Sequence, residues 1–221
     1  MSTFLIYSEE DYAYLLQPAG YAVLIAALLI IFIAGNFIIS KKEAKTITSK
    51  QLAFSGIAIA LAIVTSFIKF VSLPFGGSIT LFSMFFICFI GYMYGTRIGI
   101  LSGVAYGILQ LILGPYIFAP LQVLLDYPLA FGALGLSGVF SKSKYGMLKG
   151  YLLGVIGRYI FHCISGQIFF LSYAPENMNS TVYNVTYNAS YILPELIVTA
   201  IILSLPPMAK AVKKIKEMAN N

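Results

Sequence analysis

Residues 148–171 read LKGYLLGVIGRYIFHCISGQIFFL, an apolar run with Arg158 and His162 near its middle. A helix needs about 20 mostly apolar residues to cross a bilayer, so this run is long enough. Ionisable groups inside such a run are costly and turn toward a bundle interior or a solvated cavity. The stretch therefore reads as a spanning helix with one polar face. Arg158, His162, Gly166 and Phe170 follow at i, i+4 spacing and share that face. A cation, an imidazole, a bare backbone and a ring on one line read as the wall of a pocket.

Six further runs fit the same description: Tyr21–Ser40, Leu52–Val71, Thr80–Tyr94, Ile98–Leu113, Tyr116–Phe140 and Val182–Met208. With Leu148–Leu171 they make seven spans. The turn Gly95-Thr96-Arg97 joins the third and fourth as a tight helical hairpin. Composition agrees: the 221 residues are 59% hydrophobic and 10% charged, with mean hydropathy +0.88. A soluble domain carries about 25% charged residues, so too few charges remain to coat a water-facing surface. A cytosolic enzyme and a nucleic-acid binder are excluded. The reading is an all-α, polytopic membrane helix bundle. The first span lacks a basic leader and is followed directly by Lys41-Lys42, so it reads as a retained helix, not a cleaved signal peptide.

Of the 14 basic residues, all but Lys69 and Arg158 fall in connections that share one side if every span crosses. By the positive-inside rule that side is the cytoplasm. The N-terminus is then outside, the C-terminus inside, and the net charge of +6 is topogenic. Residues 1–20 form an outer segment, 21–40 an extra transmembrane helix, and 41–51 a basic cytoplasmic linker. Residues 52–208 form a six-helix substrate-binding domain, and 209–221 a basic cytoplasmic tail. The Asn-x-Ser/Thr triplets at Asn179, Asn184 and Asn188 lie toward the outer end of the last span. The triplet is short and common, and the composition looks bacterial, so they are read as ordinary polar residues.

Four ionisable groups stand inside spans: Asp126, Arg158, His162 and Glu195. Counted at 1.5 Å per residue from the outer ends, Asp126 and His162 are about 14 Å deep, and Arg158 and Glu195 about 20 Å. Two readings stand for each layer. Arg158 and Glu195 either neutralise one another or serve a pocket. Asp126 and His162 either lock two helices or bind a ligand, and the nearby Tyr116, Gln122 and Tyr127 favour a ligand. Pro74-Phe75-Gly76-Gly77-Ser78 reads as a flap over the pocket or as an ordinary turn. The stretch from Tyr183 to Tyr191, with Asn184, Asn188 and Ser190, is too polar to face lipid and reads as a second wall.

No zinc spacing, nucleophile elbow, P-loop or nucleotide fingerprint is present. Cys88 and Cys163 sit in apolar runs and form neither a disulfide framework nor a metal motif. No metal or cofactor is expected. What remains is a pocket for a small, ring-bearing, partly cationic molecule. Asp126 would balance its charge, aromatic faces would stack on it, and Asn188 with tyrosine hydroxyls would read its polar edge.

These pieces resemble the substrate-binding S components of energy-coupling factor (ECF) vitamin transporters, and among them the thiamine-specific family. The resemblance covers about residues 52–216 and leaves the first span outside the six-helix core. It is carried by the loop from Leu73 to Leu81, Gly114-Pro115-Tyr116, the stretch from Gln122 to Phe131, the stretch from Arg158 to Gly166, and Tyr183 with Asn188. It implies a thiamine pocket lined by Asp126, Tyr127, His162, Tyr183 and Asn188, with Arg158, Gly166 and Tyr116 at matching positions. Family members carry glutamate at the acidic position, where this chain has Asp126. They also carry tryptophans in the first outer loop and one turn past the span-six glycine. This chain has no Trp, and the matching positions fall near Gly77 and at Phe170.

The resemblance further implies capture of thiamine outside and delivery inward with a transmembrane coupling subunit and paired ATPases, in a bacterial plasma membrane. Any ATP would be hydrolysed by those partners. It places docking on Ala58 and Ala62, whose small-xxx-small spacing serves close helix packing of any kind. The alternatives are a thiamine precursor or another ring-bearing vitamin as ligand, an intramembrane enzyme using Asp126 and His162, and an assembly subunit without ligand.

Overall fold

A computed structural model describes residues 46–220 and, before them, residues 4–8, 13–20, 22, 23 and 26. Most of the expected first span and most of the basic linker lie outside the described residues. The short N-terminal segment pairs β1 (Leu5–Ser8) antiparallel with β2 (Ala13–Leu16), so Tyr7 faces Tyr14 across the ladder.

The bundle begins with α1 (Ser49–Ser66), opened by a capping box in which Thr48 and Gln51 satisfy each other's backbone amides at 3.2 and 3.1 Å. The chain then forms a small ribbon, β3 (Lys69–Ser72) and β4 (Ser78–Thr80), around a one-turn helix at Pro74–Gly76. Helix α2 (Ser83–Tyr94) and α3 (Thr96–Leu113) follow as the expected hairpin, hinged at Gly95 with φ +92°. Helix α2 starts three residues later than the hydropathy suggests, because β4 takes Thr80 and Phe82 turns left-handed at φ 57°.

The fifth run forms one composite helix, α4 (Pro120–Phe140). It is α-helical at first, widens to a π-turn over Leu125–Leu129, and tightens to 3-10 geometry from Leu134. Pro128 has no amide to give, and its ring clashes with the carbonyl four residues back, so a regular α-turn cannot form there. Instead the Ala130 amide reaches Leu125, five residues back.

Helix α5 (Gly146–Phe169) and α6 (Ser180–Ser204) complete the bundle. Asn179 caps α6, its side-chain oxygen accepting from the Thr181 and Val182 amides at 3.0 and 3.2 Å. The chain then breaks at Leu205 and continues as α7 (Pro206–Asn220). The last span thus ends at Ser204, and the residues read as a basic tail are helical.

Five helices are long and apolar enough to span a membrane, and the shorter, apolar α2 packs among them. Helix α5 shows how lipid and interior divide one cylinder. Ile156, Ile160, Ile164 and Ile168 are exposed on one side. They run two residues out of step with the stripe of Arg158, His162, Gly166 and Phe170, about 200° around the helix. Exposed apolar side chains are the surface that lipid solvates. This is a polytopic helical membrane protein with two small β-ribbons added.

Close packing rests on glycine contacts between α3 and α4. A Cβ on Gly99 would come within 2.8 Å of the Gly135 carbonyl. One on Gly103 or Gly107 would strike the Phe131 or Tyr127 carbonyl. Ala58 and Ala62 are likewise 6% and 0% exposed, on the buried face of α1. The Tyr106 hydroxyl lies 3.4 Å from the Ala62 carbonyl. Within the chain that face is occupied by packing against its neighbours.

Candidate functional site

Between α4, α5, α6 and the β3–β4 ribbon lies a cavity of about 230 Å³. All ten residues singled out from the sequence as pocket residues line it: Gly77, Tyr116, Asp126, Tyr127, Arg158, His162, Gly166, Phe170, Tyr183 and Asn188.

One wall is a chain of polar contacts across two helices. The Gln122 amide donates to Asp126 Oδ2 at 2.7 Å. His162 Nδ1 meets Asp126 Oδ1 at 3.1 Å, and Arg158 Nε donates to His162 Nε2 at 3.3 Å. Because Nε2 accepts, Nδ1 carries the hydrogen and donates to the carboxylate. The Arg158 guanidinium also lies 4.4 Å from the centre of the Phe131 ring. The Asp126 and His162 side chains are 15% and 13% exposed, shielded but open to the cavity. The π-turn carries Asp126 here, one residue before Tyr127 and two before Pro128.

Glu195 does not belong to this chain of contacts. Among the described residues the ion pairs are His162–Asp126 and Lys213–Glu217, so of the two readings for Arg158 and Glu195 direct pairing is not the one found. Glu195 instead accepts from the Thr80 hydroxyl at 2.7 Å and the Met84 amide at 3.0 Å. It caps the start of α2, where free helix amides favour a carboxylate. Depth counting gave the two residues one height, but height says nothing about which way each helix face turns.

The opposite wall comes from α6. Asn188 Nδ2 donates to Asn184 Oδ1 at 2.8 Å, and the Tyr191 hydroxyl donates to Asn188 Oδ1 at 2.7 Å. Asn184 Nδ2 reaches across to the Cys163 carbonyl at 2.8 Å. Both asparagines are 5% exposed, which places two of the three Asn-x-Ser/Thr triplets inside the bundle. The gap above Gly166 is filled by Asn184, whose Cγ would lie 2.7 Å from a Cβ at that position. Gly166 thus admits a protein side chain, while its backbone still borders the cavity.

Tyr127 acts through the backbone. Its hydroxyl accepts from the Tyr116 amide at 2.8 Å and lies 3.4 Å from the Gly114 carbonyl, fixing the Gly114–Tyr116 turn. The end of the cavity nearest the β3–β4 ribbon is closed by rings. Phe75 stands 4.7 Å from Tyr173, and Phe170 stands 5.9 Å from Tyr173 and 6.1 Å from Tyr116. Phe75 holds φ 62°, a conformation that side chains rarely adopt, and so keeps its ring in this cluster.

Tyr187 and Tyr191 fall in the stretch read as a second wall without being named individually, and Tyr173 was not singled out; all three line the cavity. Tyr187 and Tyr191 follow Tyr183 at i+4 and i+8, the spacing that puts them on its helix face.

The family described as thiamine transporter protein matches residues 52–215. The chain belongs to this family. Thiamine transporter ThiT of Bacillus subtilis is 38% identical over 163 residues, covering 67% of this chain and 83% of that protein. Thiamine transporter ThiT of Lacticaseibacillus paracasei is 33% identical over 119 residues, covering 46% and 59%. A solved structure of ThiT from Listeria monocytogenes superposes with a TM-score of 0.58 at 26% identity, covering 71% of this chain and 94% of that one. Membership makes this a transport protein, and the Asp126–His162 pair is not an enzyme's acid–base pair. The match starts within α1.

Proposed function

We propose that the chain is the substrate-capturing subunit of an ECF-type transporter and that it binds thiamine in the cavity between α4, α5 and α6. The observation that carries this reading is the Gln122–Asp126–His162–Arg158 chain facing aromatic walls across a closed-in space. Asp126 supplies the negative charge for a cationic ring system, and Tyr191 with Asn188 offers a hydroxyl and an amide to its polar edge. Phe170, Tyr173 and Phe75 give faces on which a flat ring stacks. The names of the relatives support thiamine as the ligand.

In this reading the N-terminus and the β3–β4 ribbon lie outside, and the lysine-rich connections lie in the cytoplasm. The cavity then loads from outside. No nucleotide motif occurs in the sequence, so inward delivery falls to a coupling subunit and ATPases.

Calorimetric titration of ligand-stripped protein with thiamine, beside Asp126→Asn, tests the reading. One-to-one binding is expected, weakened in the variant by about 1.5–3 kcal/mol through loss of a charge-assisted contact. Equal affinity in the two proteins removes Asp126 from the pocket. Competition with the separate pyrimidine and thiazole halves distinguishes thiamine from its precursors.

A further inference from the structure

At the opposite end of the bundle a second hollow of about 900 Å³ lies under α7, unconnected with the aromatic cavity. We infer that it is a binding site for the head group of an anionic phospholipid. Three features of different kinds meet there.

The first is charge. Lys142, Lys144, Lys213 and Lys216 line the hollow against the single carboxylate of Glu217. Glu217 stands 3.8 Å from Lys213, but both side chains are exposed, at 60% and 76%. Such a pair contributes little and opens readily to a stronger anion. Lys216 is already engaged, bonded to the Ser141 carbonyl and 3.8 Å from the centre of the Tyr92 ring. Lys144 lies 5.3 Å from the centre of the exposed Tyr145 ring, a looser contact that a stronger anion displaces, so Lys142, Lys144 and Lys213 can turn to a ligand.

The second is a set of donors. Helix α5, 24 residues long, begins at this hollow with Gly146, Met147 and Leu148 on its lining, and Tyr145 gives it no side-chain cap. The Gly146 amide is taken by the Ser143 carbonyl at 3.0 Å, but the partial positive charge of the helix start behind it still suits a phosphate. Beside it the Tyr94 hydroxyl is covered and has no hydrogen-bond partner. A covered hydroxyl without a partner is costly, and an anionic oxygen would satisfy it.

The third is apolar surface. Leu203 on α6 and Met147 and Leu148 on α5 line the same hollow. These residues sit at the ends of helices long enough to span the bilayer. On α7 next to it, Ile215 and Met218 are 41% and 58% exposed. Leu203 and Met147 are buried at the hollow's apolar floor, and the exposed Ile215 and Met218 border it, so a phosphate site flanked by apolar surface fits an amphiphile and leaves a soluble phosphate ester half unmatched. Basic pockets between spans at the basic face of a membrane protein are suited to anionic lipid.

The strap-like course of α7 frames the site. Lys50 on α1 donates to the Met218 carbonyl at 2.9 Å, and Asn220 donates to the Met93 carbonyl at 3.3 Å. The wall is thereby tied to the ends of α1 and α2.

The test is native mass spectrometry of the full chain, delipidated and then exposed to equal phosphatidylglycerol and phosphatidylcholine. Each basic residue near an anionic surface favours it roughly fivefold, so three lysines predict a preference of about a hundredfold. The variant K142Q/K144Q/K213Q is expected to fall to the phosphatidylcholine level. Lys69→Gln, at the other end of the molecule, is expected to retain the preference. Tyr94→Phe, which leaves the charge unchanged, is expected to lower it severalfold. Monodisperse elution and an unchanged thermal midpoint verify that each variant is folded. Equal retention of the two lipids by the wild type, or full preference in the triple variant, overturns the site. Displacement of the lipid by glycerol phosphate at equal concentration overturns its assignment to lipid.

Discussion

The Gly77 amide and the Tyr187 hydroxyl meet at 3.3 Å across 110 positions of sequence. The same hydroxyl donates to the Pro74 carbonyl, so one side chain of α6 holds both ends of the short turn at Pro74–Gly76. Gly77 has φ −64°, which any residue can adopt. What excludes a larger residue there is space, since a Cβ would lie 2.8 Å from Tyr191 Cδ1 and 2.9 Å from the Tyr187 oxygen. The loop of the β3–β4 ribbon is seated on α6 by contact.

Tyr187→Phe removes both of those bonds while keeping the ring. At about 0.5–1.5 kcal/mol for each, the loop should open more often and thiamine should leave about tenfold faster. Washout of labelled thiamine, with hydrogen exchange of residues 73–80, reads this. An unchanged exit rate would show that the loop does not retain the ligand.

Gly166→Ala drives a methyl group into the Asn184 side chain, which is bonded to both Cys163 and Asn188. Overpacking of this kind costs about 1–3 kcal/mol, and here it displaces the amides on the α6 wall. Thiamine affinity should fall by a similar amount. Asn184→Ala placed in the same chain should recover part of it, because the space is then vacated. No recovery would mean that Gly166 serves the ligand directly.

Glu195→Gln tests a different role. Two donors, the Thr80 hydroxyl and the Met84 amide, converge on its two oxygens. Glutamine offers one oxygen and turns an NH₂ toward the other donor. A loss of about 1–3 kcal/mol in stability is expected, read as a lower thermal midpoint in detergent. Thiamine affinity of the folded variant should change far less than in Asp126→Asn, since Glu195 stands outside the cavity lining.

Gly135→Ala places a methyl group against the Ile100 amide and the Gly99 carbonyl carbon. Neither is the end of a flexible side chain, so α3 and α4 must separate. The variant should lose about 1–3 kcal/mol or fail to accumulate. Thermal unfolding beside the matched Gly56→Ala, whose Cβ would meet nothing within 4 Å, separates packing from helix propensity.

Much of the bundle was legible because lipid imposes a simple rule on composition: long apolar runs must be helices, and cations mark their ends. The pocket was legible where helical periodicity alone decides it, as in the stripe from Arg158 to Phe170. It failed where two helices must be rotated relative to one another. Arg158 and Glu195 share a depth, yet one joins His162 and the other caps α2. The small-residue face of Ala58 and Ala62 is buried within the chain, a rotation of α1 that no single sequence prints. The ribbon at residues 69–80 was read as helix and loop because its apolar residues have no lipid-sized run to distinguish them.

The π-turn in α4 divides one helix into two tasks. From Ala130 onward the helix is wedged against glycines of α3 and α5, and a single added methyl group is resisted by backbone. Before it, Gln122 and Asp126 bond to one another, to His162 and to the backbone of residues 116 and 118 at the rim of the cavity. The extra residue in the turn uncouples the facing of the two halves. The side chains of Gln122 and Asp126 are therefore presented to the cargo by a turn, while the packed half that anchors them, with the Tyr127 carbonyl against Gly107, holds the bundle together.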